Sequence, residues 1–178
     1  MVRYPLITVL AHNILYTYIA PYLTQTGLAG RVDLVLLIFG ITALLGIWLI
    51  GVWIDRHLRP LVLVSLAAFA LASVLLGLVS SQPGVIYLVA AVWGLTFGGA
   101  ATLLQTAIAI TGRESADVAQ SMLVTAWNLA IGGGGVIGGI LLETTGVRSF
   151  PWALFILLSL AFLIVWRREA HGFPAKRL

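Results

Sequence analysis

The chain has 178 residues, of which 61% are hydrophobic and only 9% charged, with a formal net charge of +4 and no cysteine. An ordinary soluble domain carries about 25% charged residues, so this chain lacks the polar surface of a water-soluble enzyme, a nucleic-acid module or a disordered tail. The absence of cysteine excludes a disulfide framework, thiolate chemistry and a Cys-ligated metal. The basic balance fits arginine in cytoplasmic loops of a membrane protein better than a nucleic-acid surface.

A helix crosses the hydrocarbon core, about 30 Å thick, with about 20 mostly apolar residues. Six stretches qualify: 5–23, 34–53, 61–80, 85–110, 118–142 and 150–166. They do not alternate in the way of barrel strands, so an all-α membrane protein is expected. One six-helix transmembrane domain covers 1–170, and 171–178 forms a short cytoplasmic tail. The first stretch follows Arg3, but it contains His12, Asn13, Tyr16 and Tyr18 and ends on no small-x-small site, unlike a secretory signal. Turn chemistry closes three of the spans: Thr-Gln-Thr-Gly at 24–27, Ser-Gln-Pro-Gly at 81–84 and Glu-Thr-Thr-Gly at 143–146. Pro60 and Pro151 stand where helices should start, and Asp33, Ser115 and Asp117 are candidate caps.

Lys and Arg in short loops set orientation. One side receives Arg3, Arg56, Arg59, Arg113, Arg167, Arg168, Lys176 and Arg177, and the other only Arg31 and Arg148. Both termini are therefore expected in the cytoplasm. Helices in lipid associate through small residues. The fourth span offers Ala90, Gly94, Gly98 and Thr102 at four-residue spacing. The fifth offers two offset rows, Gly134/Gly138 and Gly135/Gly139, which predicts crowding on two sides and a place inside the bundle. Three spans are an odd number, so a second set of three enters from the opposite side. Two inverted three-helix repeats follow, a recurring transporter plan.

The cytoplasmic end of the second span reads Gly51-Val-Trp-Ile-Asp55-Arg56-His57-Leu-Arg59-Pro60. This Gly-x-x-x-Asp-Arg-x-x-Arg pattern resembles the loop signature of the major facilitator superfamily. The stretches 98–106 and 119–135 are similar to the tenth and eleventh helices of bacterial drug and sugar efflux members, so the chain resembles the C-terminal half of such a transporter. The resemblance implies half of a major facilitator fold. It also implies that Gly51, Asp55, Arg56 and Arg59 act as a conformational latch on the cytoplasmic side. Asp55 could sit at a helix N-terminus, and the arginines could pair with it or with anionic lipid heads.

Polar groups inside a membrane are costly unless they face a cavity or a partner. His12, Asn13 and Tyr16 cluster on the first span, Thr102 and Gln105 lie on the fourth, and Asn128 on the fifth. The resemblance selects the first five as facing the substrate cavity; Asn128 is a further candidate, with an interhelical hydrogen bond as its alternative role. No Asp or Glu lies near the middle of any span, so His12 is the one mid-span group that titrates near neutral pH. The expected function is alternating-access transport of a small solute. Proton-antiport efflux across the cell membrane is expected, by a half-transporter or truncated transporter that pairs with a second six-helix half or a copy of itself. A non-transporting assembly or scaffold subunit is the alternative. No enzyme activity, cofactor, metal or nucleic-acid partner is expected; the partners are the bilayer, the solute and protons.

Overall fold

Backbone groups in lipid must be paired within their own segment, and the described residues are helical, with no strand among them. The computed structural model describes residues 3–79, 81–112 and 116–167. Helix α1 (Arg3–Thr17) leads to α2 (Ile19–Gln25), a 3₁₀ turn (Ala29–Arg31) and α3 (Val32–Leu78). Then follow α4 (Pro83–Gly98), α5 (Ala100–Gly112), α6 (Ala116–Thr144), a second 3₁₀ turn (Val147–Ser149) and α7 (Phe150–Arg167). Arg113, Ser115, Arg168 and the tail over 171–178, with Lys176 and Arg177, lie outside the described residues.

By length and composition four stretches can cross a membrane: Ala29–Leu78, Pro83–Thr106, Gln120–Thr144 and Val147–Arg167. The pair α1 and α2, bent by 55°, raises the number to five. The first stretch has 50 residues, about 75 Å at 1.5 Å per residue, more than twice the hydrocarbon thickness. It is not one straight rod. His57 has non-helical φ −132° and ψ 30°, and Pro60 three residues on lacks an N–H and crowds the carbonyl of Arg56. The chain reverses there. Phe39 and Phe69 both reach Trp93, with ring centroids 4.4 and 6.5 Å away. Ile50 lies over Gly99, while Val62 lines a gap with Ala100 and Leu103. Residues before and after His57 thus pass the same neighbours in opposite order, as two antiparallel arms. Pro60 lies inside the assigned helix, just past this break, rather than opening a separate one.

Other breaks also have local causes. Pro21 removes the N–H that would bond to Thr17, and the helix bends at Tyr18. Gly27, at φ 78°, ends α2. Leu28 N–H donates to the Leu23 carbonyl (2.8 Å) and Gly27 N–H to that of Thr24 (3.4 Å), the paired bonds of a Schellman stop. Gly146 turns the chain after α6 at φ 76° and ψ 171°, a region open in practice to glycine alone. Asp33 and Asp117 lie in the first turns of α3 and α6, where a carboxylate favours the helix dipole. Asp33 is not the cap of its helix: Arg31 holds that position, with no side-chain bond.

The helices pack where side chains are smallest. Gly94 lies against the Phe39 carbonyl and Thr42 Oγ1, Gly98 against the Ala43 backbone, and Gly46 against the Leu95 backbone. Gly134 meets Asn13 and Leu10, Gly138 meets Tyr18 and Ile14, and Gly139 meets the Tyr18 hydroxyl. Gly135 has open space beside its Cα. The expected crowding of α6 on two sides is therefore corrected: its glycines meet α1, while Leu129, Val136 and Ile140 are exposed. One hydrogen bond ties this seam, from Tyr18 Oη–H to the Gly135 carbonyl at 2.7 Å. Large apolar side chains such as Leu44, Trp48, Val64 and Leu129 are exposed on the outer surface, as suits a protein solvated by lipid.

Among the described residues, Arg56 and Arg59 at the His57 turn share one end with Arg167 at the close of α7. Arg59 donates from a guanidinium nitrogen to the Trp166 carbonyl (3.1 Å), near the C-terminus of α7. Tyr4, Val62 and Leu104 line one gap, so the start of α1, the His57 turn and the end of α7 share that end.

Candidate functional site

Adjacent residues on a helix point about 100° apart, and this separates His12 from Asn13. The Asn13 amide donates to Val9 O (2.9 Å) within α1, and its Cβ lies on Gly134. Asn13 thus lies in the α1–α6 seam of this chain. His12 turns toward α3 and α4, where four aromatic rings surround it. Its ring is parallel to Phe97 within 2°, with centroids 3.5 Å apart. Tyr16 stacks at 5.3 Å, and Phe39 and Trp93 lie at 5.8 and 5.4 Å. The Trp93 indole N–H donates to His12 Nδ1 at 3.0 Å. His12 is 8% exposed and Tyr16 46%, so Tyr16 forms the open edge of this cluster.

The second polar group lies between α5 and α6. A cleft of ≈ 210 Å³ is lined by Gln105, Gln120, Trp127 and Asn128, with Ala101, Leu123 and Val124 between them. The Asn128 amide N–H is used on Val124 O (2.9 Å), which leaves its carbonyl oxygen as an acceptor. Primary amides offer donors and acceptors side by side, and Trp127 adds an apolar face. Phe97 joins the two groups: it stacks on His12 and lies 6.3 Å from Trp127, centroid to centroid. Four of the six expected cavity residues thus fall into two linked groups, His12 with Tyr16 and Gln105 with Asn128. Thr102 is half-buried on α5 and does not line the cleft. A separate gap of ≈ 30 Å³ near Tyr4 and Phe69 is almost wholly apolar and too small for a polar solute.

Residue spacing did not single out Gln120, Trp93 or Phe97. Gln120 sits eight residues before Asn128 on α6, a two-turn interval that puts both on one face. Trp93 and Phe97 gave no polar signal of their own.

The loop motif is exposed over most of its length. Asp55 and Arg56 are exposed and form no ion pair among the described residues. Arg59 turns to α7 instead, because the last carbonyls of a helix are unpaired and attract a cation. Among the described residues nothing lies within 4 Å of where a Cβ at Gly51 would stand. Among the described residues no cluster of His, Asp or Glu could hold a metal ion.

Comparison with known proteins agrees with this architecture. The family model described as Major Facilitator Superfamily matches residues 6–177. A probable sugar efflux transporter of Mannheimia succiniciproducens is 27% identical over 169 residues, covering 92% of this chain and 41% of that protein. A probable sugar efflux transporter of Pasteurella multocida is 24% identical, covering 96% and 44%. The transcription regulatory protein OpdE of Pseudomonas aeruginosa is 30% identical, covering 85% and 38%. The chain therefore spans about two fifths of the length of these curated relatives. No solved structure matches it significantly. With its apolar helices, glycine seams and matched family model, the chain is a multi-pass membrane protein of the transporter family called the major facilitator superfamily, not an enzyme.

Proposed function

We propose that the chain contributes one six-span half to a transporter that moves a small hydroxylated solute, of the sugar class, by alternating access. The observation that carries this reading is the α5–α6 cleft, where three amides and one indole face line a space of ≈ 210 Å³ in a chain of this family. Sugars present hydroxyls that both donate and accept, and a flat C–H face that packs on an aromatic ring. Ligand sites of this kind combine apolar walls with a few placed polar groups. The names of the Mannheimia and Pasteurella relatives support the same class and an efflux direction.

In this reading the two arms of α3 are separate crossings, which brings the spans to six in two inverted triplets. The basic end faces the cytoplasm with both termini, and the membrane is the bacterial inner membrane. A second six-helix half, or a second copy, closes the pathway against the exposed faces. Efflux runs by proton antiport, and the coupling carboxylate belongs to that second half, because no Asp or Glu lies mid-span here. The chain in lipid should gain thermal stability with sugars such as D-glucose or lactose, and Gln105→Ala should abolish the gain. Stabilisation by no sugar would overturn the class.

The name of the Pseudomonas relative favours a second reading, a membrane protein that regulates or assembles others without transport. It predicts no solute-dependent shift and no effect of Gln105→Ala.

A further inference from the structure

His12 has a bonding pattern that polarity alone does not explain. Indole N–H is a donor only. Its bond to His12 Nδ1 at 3.0 Å therefore requires that nitrogen to be an unprotonated acceptor. The neutral ring must then carry its hydrogen on Nε2. An imidazolium would set two N–H groups against each other. Phe97 and Tyr16 stack on the ring, so its edge is the polar surface left. Among the described residues His12 makes no second hydrogen bond. Nε2 is not among the fully enclosed side-chain atoms that lack a partner, so it is open to a ligand, and a donor left unpaired in lipid is costly. Such a group in a native fold asks for a ligand.

We propose that Trp93 fixes His12 as a neutral, single-tautomer donor whose Nε2–H binds a hydroxyl oxygen of the transported solute. Trp93 is the positioning residue, and His12 makes the contact. The role rests on the sugar-class reading given above. The chemistry favours an uncharged hydroxyl oxygen: the four rings around His12, from Tyr16, Phe39, Trp93 and Phe97, bring no charged group. Phe97 also touches Trp127, so the donor lies one ring away from the amides of the α5–α6 cleft. The bond with Trp93 further assigns His12 to solute recognition rather than to proton coupling.

The test uses the full chain in lipid bilayers with ¹⁵N-labelled histidine, read by solid-state NMR. The signals of His12 are those missing from a His12→Gln sample. The expected wild-type spectrum shows one neutral form with hydrogen on Nε2, and Trp93→Phe mixes the two tautomers. A hydrogen on Nδ1 in the wild type, or a tautomer unchanged in Trp93→Phe, overturns the role of Trp93. Addition of D-glucose or lactose should move the Nε2 resonance. His12→Phe should weaken binding of the same sugar about tenfold, the scale of one lost hydrogen bond. His12→Gln, whose amide N–H falls near the place of Nε2, should restore most of that loss, and His12→Asn should not. These three variants decide the donor role even where Trp93→Phe fails to fold. Sugar binding that leaves the Nε2 resonance unmoved and survives His12→Phe overturns the donor while the sugar-class reading stands. If neither sugar binds, that reading falls and the donor's ligand falls with it, while the tautomer still decides what Trp93 does.

Discussion

Gly134 and Gly135 are neighbours on one helix, yet the structure predicts opposite outcomes for the same substitution. An alanine Cβ at 134 meets Asn13 Cβ and the Leu10 carbonyl, both fixed to the backbone of α1, so the helices must part. Overpacking of this kind costs about 1–3 kcal/mol. At 135 the new methyl meets nothing within 4 Å. Both substitutions gain the same helix propensity, about 1 kcal/mol for Ala over Gly, so the difference between them isolates packing. Gly134→Ala should therefore be less stable than Gly135→Ala by about 1–3 kcal/mol. The assay is reversible unfolding in mixed lipid–detergent micelles followed by circular dichroism, with both variants and the parent at one lipid concentration. Equal stability of the two variants, or greater damage at 135, would refute the one-sided packing of α6.

Other expectations follow from the same geometry. Tyr18→Phe removes the phenol bond to the Gly135 carbonyl and should cost about 0.6 kcal/mol, the average for such bonds in membranes, read in the same unfolding assay. Arg59→Gln takes a cation from the end of α7, so hydrogen exchange should speed up in the last turn before Arg167, consistent with a loss of about 0.3–1 kcal/mol. Pro21→Ala restores the N–H that Thr17 lacks and should reduce the 55° bend; spin labels on α1 and α2 would measure the change. Trp127→Ala should weaken sugar binding about tenfold or more through the loss of its apolar face in the cleft, measured by equilibrium dialysis with labelled sugar.

Much of this fold is written locally. The apolar runs are long enough to read directly, and Gly27 and Gly146 stop helices where the turn sequences place them. Gly94 and Gly98 were legible because four-residue spacing puts them on one face, and that face does meet α3. The face that meets a partner is a tertiary fact, and there the sequence runs out. Nothing in Gly132 to Gly139 says that 134 and 138 meet α1 while 135 stays open. His12 and Asn13 read as one polar cluster, but the neighbours of α1 draw them to different sides. Trp93 lies 81 residues from His12, so no spacing rule connects them. Gly46, which meets the Leu95 backbone, gives no such signal, because Gly40 and Gly51 lie six and five residues away and form no four-residue row with it. The amide cleft was half visible, through Gln105 and Asn128, and needed α5 beside α6 to bring in Gln120 and Trp127.

The central claim is that this chain supplies one half of a solute pathway. Counterflow of labelled sugar in proteoliposomes tests it most directly, comparing the purified chain as a monomer with the chain co-reconstituted with a matching first half. The account predicts counterflow only when the second half is present, and its loss in Gln105→Ala. Counterflow by the monomer alone, or none with the second half for any sugar, would contradict it.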